Sequence, residues 1–359
     1  MTITDTARPC AQGLASEGRP QAGAVAGGHS AAEWGMVQLD HLPARACSPL
    51  RERRGGDIMF VRGYPRLPRE AAAETSRPRS QPGKGDAMPS TTLITTSQLS
   101  RLIGLPQAPA IVDVRMDDDY RADPRLLPGS LRKDYRAVSQ WAPEYWSRSV
   151  VVVCQKGQKL SEGTAAWLRG EGISAETLEG GFEGWKKAGE VLVRTDKIPP
   201  RDANGRTLWV TRSRPKIDRI ACSWLIRRFV DPNAIVLFVI AAEVMGVAER
   251  FNATPFDIEG VFWSHRGEAC TFDTMIEEFG LKTQPLLHLA KIVRGADTAR
   301  LDLAPECAGL LAASLGYSRM YKEDLVQLDA SMALYDAYYR WCRDATGETH
   351  NWPTQKSGA

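Results

Sequence analysis

The sequence has no apolar run long enough to cross a bilayer. Its longest, Ala234 to Ala242, has nine residues before Glu243 interrupts it, against about 20 for a transmembrane helix. The first 30 residues contain no apolar stretch of the kind a secretory signal needs. Arg53-Arg54 is followed by Gly-Gly-Asp rather than a hydrophobic segment, so it is a twin arginine in name only. Paired cysteines are also missing. The seven (Cys10, Cys47, Cys154, Cys222, Cys270, Cys307, Cys342) are odd in number, widely spaced and include no CxxC. That excludes a disulfide scaffold and fits thiols kept reduced in a cytoplasm. Net charge is nearly absent, +3 from 46 basic and 43 acidic residues. Residues 1–88 hold 12 basic and 9 acidic residues, and residues 89–359 hold 34 of each. A neutral body argues against a protein whose main task is gripping nucleic acid. The expectations are a cytoplasmic location, no membrane contact and no direct nucleic-acid binding.

What is present is globular: 359 residues, 43% hydrophobic and 25% charged, enough for two domains. Residues 1–88 differ from the rest. Ala, Gly, Pro and Arg make up 44 of the 88, with eleven arginines to one lysine, Lys84. No helical or strand period runs through them, so this segment reads as a disordered extension. Met88 opens a different composition and is a second candidate start, which would make the upstream residues translated leader.

Residues 89–195 read as a compact α/β unit. Strands are expected at Ala110–Arg115, Val150–Val153 and Ser174–Leu178. Helices are expected after Thr96, after a Ser161 cap as far as Gly170, and after the Gly180-Gly181 turn. Alternation of this kind implies a parallel sheet covered by helices. Residues 196–206, with Pro199-Pro200 and Asn204-Gly205, read as a linker. Residues 207–359 read as a second α/β domain with a helical C-terminal half. Its expected strands are Thr207–Thr211, a buried Ala234–Ile240 and Ile258–Trp263. A helix starts at Pro215 and reaches Phe229 with Ile217, Ile220, Ala221, Trp224, Leu225 and Phe229 on one face. Further helices are expected over 243–251, 271–279, 284–295, 304–315 and 321–344, the last with Leu325, Leu328, Met332, Tyr335, Tyr339 and Cys342 inward.

Cys154 stands where a valine strand ends and a helix is about to begin. The intervening Gln155-Lys156-Gly157-Gln158-Lys159 gives three advantages to a sulfur. Loop amides can point at it, the helix presents its positive end, and Lys156 and Lys159 add charge. All three favour thiolate and nucleophilicity. The plainer alternative is a buried strand-end cysteine beside solvated lysines. In this region, from Thr92 to Val193, the chain resembles the rhodanese family. The resemblance rests on Val112-Asp-Val-Arg115, Leu127-Pro-Gly-Ser130, Val151-Val-Val-Cys154, the six-residue loop 154–159, and Leu178-Glu-Gly-Gly181 followed by Trp185. It implies that Cys154 carries a persulfide. It also implies that Lys156, Gly157 and Lys159 help to hold a small anionic sulfur donor such as thiosulfate. Two positions depart from the family pattern. Lys159-Leu160 stands where arginine and serine are usual, and Leu126 where histidine is usual.

The second domain offers two clusters. Thr211-Arg-Ser-Arg-Pro-Lys-Ile-Asp-Arg219 lies where a strand meets a helix N-terminus, and Arg212, Arg214 and Arg219 there suit a tetrahedral anion. A solvated basic turn is the alternative. Asp218 is expected to stabilise the helix start. His265, Cys270 and Asp273 lie within nine residues. They could hold a transition metal as mixed imidazole, thiolate and carboxylate ligands, or pair as Cys and His with Asp as orienter. A capped helix with a packed cysteine is the alternative. Cys222 could join as a fourth group, Thr271 could cap the helix, and Asp297 could cap the next turn. His288 reads as a core histidine and Tyr335–Trp341 as a packing face.

From Leu208 to Pro353 the chain resembles the C-terminal domain of chromate-resistance ChrB proteins. The carrying stretches are Trp209-Val-Thr-Arg212, Lys216 through Phe229, Pro255-Phe-Asp-Ile258, Cys270-Thr-Phe-Asp273, Ile292-Val-Arg-Gly-Ala-Asp297 and His350-Asn-Trp-Pro353. The resemblance implies a link to chromate tolerance, with chromate or another oxyanion as partner. The leading expectation is a sulfurtransferase-type accessory protein whose second domain binds an oxyanion or a metal. A non-enzymatic chromate or redox sensor is the alternative, and a structural interaction protein the third reading. No cofactor is expected beyond that transition metal.

Overall fold

The computed structural model describes residues 92–349. The expectations for 1–88, for a start at Met88 and for His350-Asn-Trp-Pro353 lie outside these residues.

Two parallel sheets organise the chain. The first is built from β1 (Leu93–Ile94), β2 (Ala110–Asp113), β3 (Ser130–Arg132), β4 (Val150–Val153) and β5 (Ala175–Leu178), in the order β1-β5-β4-β2-β3. All its pairings are parallel, with Val112 opposite Val152 and Ile111 opposite Ser130. Its helices are α1 (Thr96–Leu102), α2 (Asp117–Ala122), α3 (Val138–Trp141), α4 (Lys159–Gly170) and α5 (Gly181–Lys187). The four valines of β4 are all buried because the strand is central and covered on both faces. Val151 and Val153 point to one core, with Leu178, Phe182 and Trp185. Val150 and Val152 point to the other, with Ala165 and Leu168 of α4.

The second sheet is built from β6 (Leu208–Arg212), β7 (Ile235–Val239) and β8 (Thr254–Pro255), in the order β7-β6-β8, again parallel. Around it lie α6 (Ile217–Leu225), α7 (Val244–Phe251), α8 (Thr271–Phe279), α9 (Gln284–Asp297), α10 (Cys307–Met320) and α11 (Asp324–Asp344). The α/β class and the helical C-terminal half therefore match the expectation. The apolar face read from Ile217 to Phe229 is buried throughout. The helix passes into a π-helical turn at Ile226–Val230. It begins two residues after Pro215, whose carbonyl accepts from Gln327 Nε2 at 2.7 Å.

Four local expectations need correction. Ile258–Trp263 is not a strand: β8 ends at Pro255, Asp257 turns with φ +52° and Gly260 with φ +79°, and only Phe256 and Trp263 form an isolated bridge. β7 is half-buried, because it is the sheet edge. Leu325 is exposed while the rest of its predicted face is buried. Ser161 does not cap α4, which begins two residues earlier.

The segment 196–206 does not separate two independent cores. One hydrophobic cluster includes Leu99, Leu127, Phe182 and Trp185 from the first half and Trp224, Phe229, Phe272 and Tyr335 from the second. The Gly129 amide donates to the Phe229 carbonyl at 2.6 Å, and the Arg194 amide to that of Phe279 at 3.0 Å. Gly104 faces Phe229 and Tyr339 so closely that a Cβ would come within 2.5 and 2.7 Å of their rings.

Candidate functional sites

Cys154 is the first residue after β4, and its sulfur is folded under the loop that leads to α4. The Gln158 amide donates to Sγ at 3.4 Å, and Ser161 Oγ lies 3.2 Å from it. Ser161 Oγ also donates to the Gln158 carbonyl at 2.9 Å, which fixes the hydroxyl over the sulfur. The loop is seated on the Gly180-Gly181 turn. The Cys154 carbonyl accepts from the Phe182 amide at 2.9 Å, and the Gln155 carbonyl from the Glu183 amide at 3.0 Å. A Cβ on Gly157 (φ +67°) would stand 2.4 Å from the Leu178 carbonyl oxygen, and one on Gly181 (φ +58°) 2.3 Å from that of Cys154. Only glycine permits both the backbone conformation and this approach. Lys156 and Lys159 are exposed at the rim, and Lys159 opens α4.

Arg115 of the Val112-Asp-Val-Arg115 motif is buried and structural. It pairs with Asp113 at 2.7 Å, donates to the carbonyls of Asp123 and Arg125, and stacks 3.8 Å over the Phe182 ring.

The second site gathers at the C-terminal end of β6 and β8, where α6 and α8 begin. Its centre is His265. Nε2 lies 3.4 Å from Asp218 Oδ2, 3.4 Å from Asp257 Oδ1 and 3.6 Å from Asp297 Oδ2. Asp218 is held by the N-terminus of α8: its two oxygens accept from the Thr271 and Phe272 amides at 2.8 and 2.9 Å. Asp257 accepts from Thr271 Oγ1 at 3.0 Å and pairs with Arg219 at 3.2 Å and Arg212 at 3.4 Å. The electrostatics follow from this crowding. The Asp218 hydrogen bond, with the charges of all three aspartates, outweighs desolvation and pushes His265 up to about 9. Burial, then the neighbouring Asp218 and Asp257, push Asp297 up to about 6. Burial and Asp218 also raise Asp257, against the two arginines.

The predicted ligand set is redrawn. Among the described residues, Asp218, Asp257 and His265 are the group whose donor atoms lie within 4.8 Å of one another. Cys270 and Asp273 stand outside it. The Cys270 thiol donates to Asp273 Oδ2 at 3.2 Å, and Asp273 is drawn towards Arg294 at 2.8 Å. Burial, reinforced by Asp218, holds both the Cys270 and Cys222 thiols well above their usual range. Cys222 rests against Asp218 at 3.6 Å from the inner side. Thr271 does not cap α8; it follows the capping residue Cys270. Arg212 and Arg219 enter the cluster, but Arg214 does not. Its guanidinium binds the carbonyls of Ser318, in the last turn of α10, and of Tyr321 and Lys322 just beyond it, and its amide binds Asp324.

Ser161, Asp257 and Asp297 were not legible as site residues, and Asp218 only as a helix stabiliser. One signal did point to Asp297. It is an acid at the last position of α9, where the helix dipole disfavours negative charge.

Comparison with known proteins assigns both halves. The family description "Rhodanese-like domain" matches residues 95–188, and "ChrB, C-terminal domain" matches residues 209–342. Protein ChrB of Cupriavidus metallidurans is 32% identical over 146 residues, which cover 40% of this chain and 43% of that protein. The chain thus spans less than half the length of this curated relative. Two solved structures are similar to the first half. SSP1007 from Staphylococcus saprophyticus is 22% identical, with 29% of this chain and 99% of that chain covered and a TM-score of 0.25. A rhodanese-like domain protein from Staphylococcus aureus is 26% identical, with 26% and 90% covered and a TM-score of 0.24. Residues 95–188 thus match the rhodanese-like family and residues 209–342 the ChrB C-terminal family, side by side on one chain.

Proposed function

We propose that this chain is a cytoplasmic chromate-resistance accessory protein whose first domain transfers sulfane sulfur through Cys154. The observation that carries the reading is the seat of Sγ: the first residue past a central strand, below a helix N-terminus, with Gln158 N–H and Ser161 Oγ at its sulfur. The Cys154 thiolate attacks the outer sulfur of a thiosulfate-like donor. The donor S–S bond breaks, sulfite leaves with the bond's electron pair, and Cys154 carries the persulfide. An acceptor thiolate or cyanide then removes the outer sulfur and restores the cysteine. Lys156 and Lys159, at the rim, draw the anionic donor. The second domain receives an oxyanion or a metal at the cluster around His265, with Arg212 and Arg219 as its cationic edge.

The test is thiosulfate-to-cyanide transfer by the full chain beside Cys154→Ser, with intact mass on the same samples. The expected result is cysteine-dependent turnover and an adduct of about 32 Da, one sulfur atom, on the wild type alone. Full turnover by Cys154→Ser overturns the reading.

The sensor reading draws on one specific contact. The Cys154 carbonyl holds the Phe182 amide, and Phe182 lies in the core shared with the second domain. In that case Cys154 is modified once per chain, without turnover.

A further inference from the structure

We infer that Asp218, Asp257 and His265, with Asp297 beside His265, form a binding site for one divalent first-row cation in the second domain, with Mn2+ the species that suits them best. The inference rests on the reading of the His265 cluster as a binding site and is independent of the sulfur chemistry at Cys154.

The four side chains come from four places: the first turn of α6, the turn after β8, the loop before α8, and the end of α9. They converge on one point rather than pairing off. A charge-assisted N–H···O bond is about 2.7–2.9 Å long. His265 Nε2 instead stands at 3.4, 3.4 and 3.6 Å from three carboxylate oxygens. Donor atoms around a single ion with bonds of about 2.0–2.2 Å sit about 3 to 3.6 Å apart, in octahedral or tetrahedral geometry. The His265–Asp218 and His265–Asp257 spacings fall within that range, and the donor atoms of these three residues lie within 4.8 Å of one another.

The supporting contacts are those of a preorganised site. Both oxygens of Asp218 are oriented by the α8 amides, and Asp257 by Thr271 and Arg219. Such outer contacts fix ligand direction. A second observation comes from β6. Thr211 is fully buried, and its hydroxyl has no hydrogen-bond partner among the described residues. It shares a strand face with Trp209, which packs on Phe256, Trp263 and Phe279, while Val210 between them faces α7. The hydroxyl is therefore on the α8 side of the sheet, one step from Arg212, which reaches Asp257. It is a spare polar group at the end of the sheet where the ligands meet.

Two aspartate carboxylates and one imidazole, with the Asp297 carboxylate beside them, suit Mn2+ more than a thiolate-loving ion, and the two nearby cysteines are protonated donors to aspartates rather than ligands. His265 is 40% exposed, so the ion can enter from solvent and keep an open position.

The experiment uses the full chain stripped with chelator. Mn2+ alone is titrated and free ion is read by electron paramagnetic resonance, with circular dichroism to confirm folding. Wild type is expected to bind one Mn2+ per chain. His265→Gln and Asp297→Asn, which leave the α8 cap intact, are expected to weaken binding at least about tenfold while staying folded. Cys154→Ser is expected to bind as wild type. No saturable binding by folded wild type, or undiminished binding by both folded variants, overturns the inference.

Discussion

At the residue scale the sulfur site depends on a hydroxyl that the usual loop pattern does not announce. Ser161 lies seven residues after Cys154, inside α4 rather than at its cap, with Oγ 3.2 Å from Sγ. When Cys154 ionises, the hydroxyl can turn its one proton from the Gln158 carbonyl to the thiolate or persulfide and hold it in line with the loop amides. A hydrogen bond to a charged partner contributes about 1.5–3 kcal/mol. Ser161→Ala is therefore expected to lower sulfur transfer by about tenfold to a hundredfold. The loss should fall on the rate rather than on the fold, because the methyl fits where the hydroxyl was. Single-turnover persulfide formation, followed by mass, checks this. An unchanged rate would assign Ser161 to the Gln158 carbonyl alone.

At the scale of elements, β4 and α6 were readable because burial imposes a pattern on the chain. A central parallel strand shows a continuous valine run, and a helix with one buried face shows a 3.6 period. Ile258–Trp263 misled because apolar residues also occur in a packed loop: Trp263 is buried while Phe262 is half-exposed. The carboxylate cluster escaped for a different reason. Asp218, Asp257 and Asp297 are up to 79 positions apart, and only tertiary folding brings them to His265. No spacing rule covers such a separation.

The same scale gives a pH dependence. Asp123 closes α2 and pairs with Arg125 and, across to α5, with Lys186, both at 2.7 Å. The Arg125 hydrogen bond, then Lys186, hold its carboxyl well below the usual carboxylate range. A lowered folded-state value means that the ionised form favours the fold. The contribution is present above the unfolded-chain value of about 3.9 and is lost as pH falls towards the folded value. Asp123→Asn is expected to cost about 1 kcal/mol at pH 7, a modest figure because Arg125 and Lys186 are half-exposed. Denaturant melts of wild type and variant should converge as pH drops below 4. A gap that persists into acid would show that the side chain acts by packing instead.

At the scale of the whole molecule, the halves that match two different family models form one folded body between residues 92 and 349. The Leu127-Pro-Gly-Ser130 stretch, part of the first family's pattern, is fastened to the second half through Gly129 and the Phe229 carbonyl. The stretch Lys216 to Phe229, part of the second family's pattern, supplies the rings that meet Gly104. Each half thus completes the other's core, and a change at the Cys154 loop has a packed route to the second half through Phe182 and Trp185. The physical consequence is cooperative unfolding. Gly104 tests it, because it has φ +80° and no room: a Cβ would enter the Phe229 and Tyr339 rings. Gly104→Ala combines backbone strain with overpacking and is expected to cost about 1–3 kcal/mol. For a body of this size each kcal/mol lowers the midpoint by about 2–4 °C. Calorimetry of the wild type should show one transition, and the variant should move that whole transition down. Two transitions, of which only one shifts, would mean that the halves fold separately and that the route through Phe182 and Trp185 carries nothing between them.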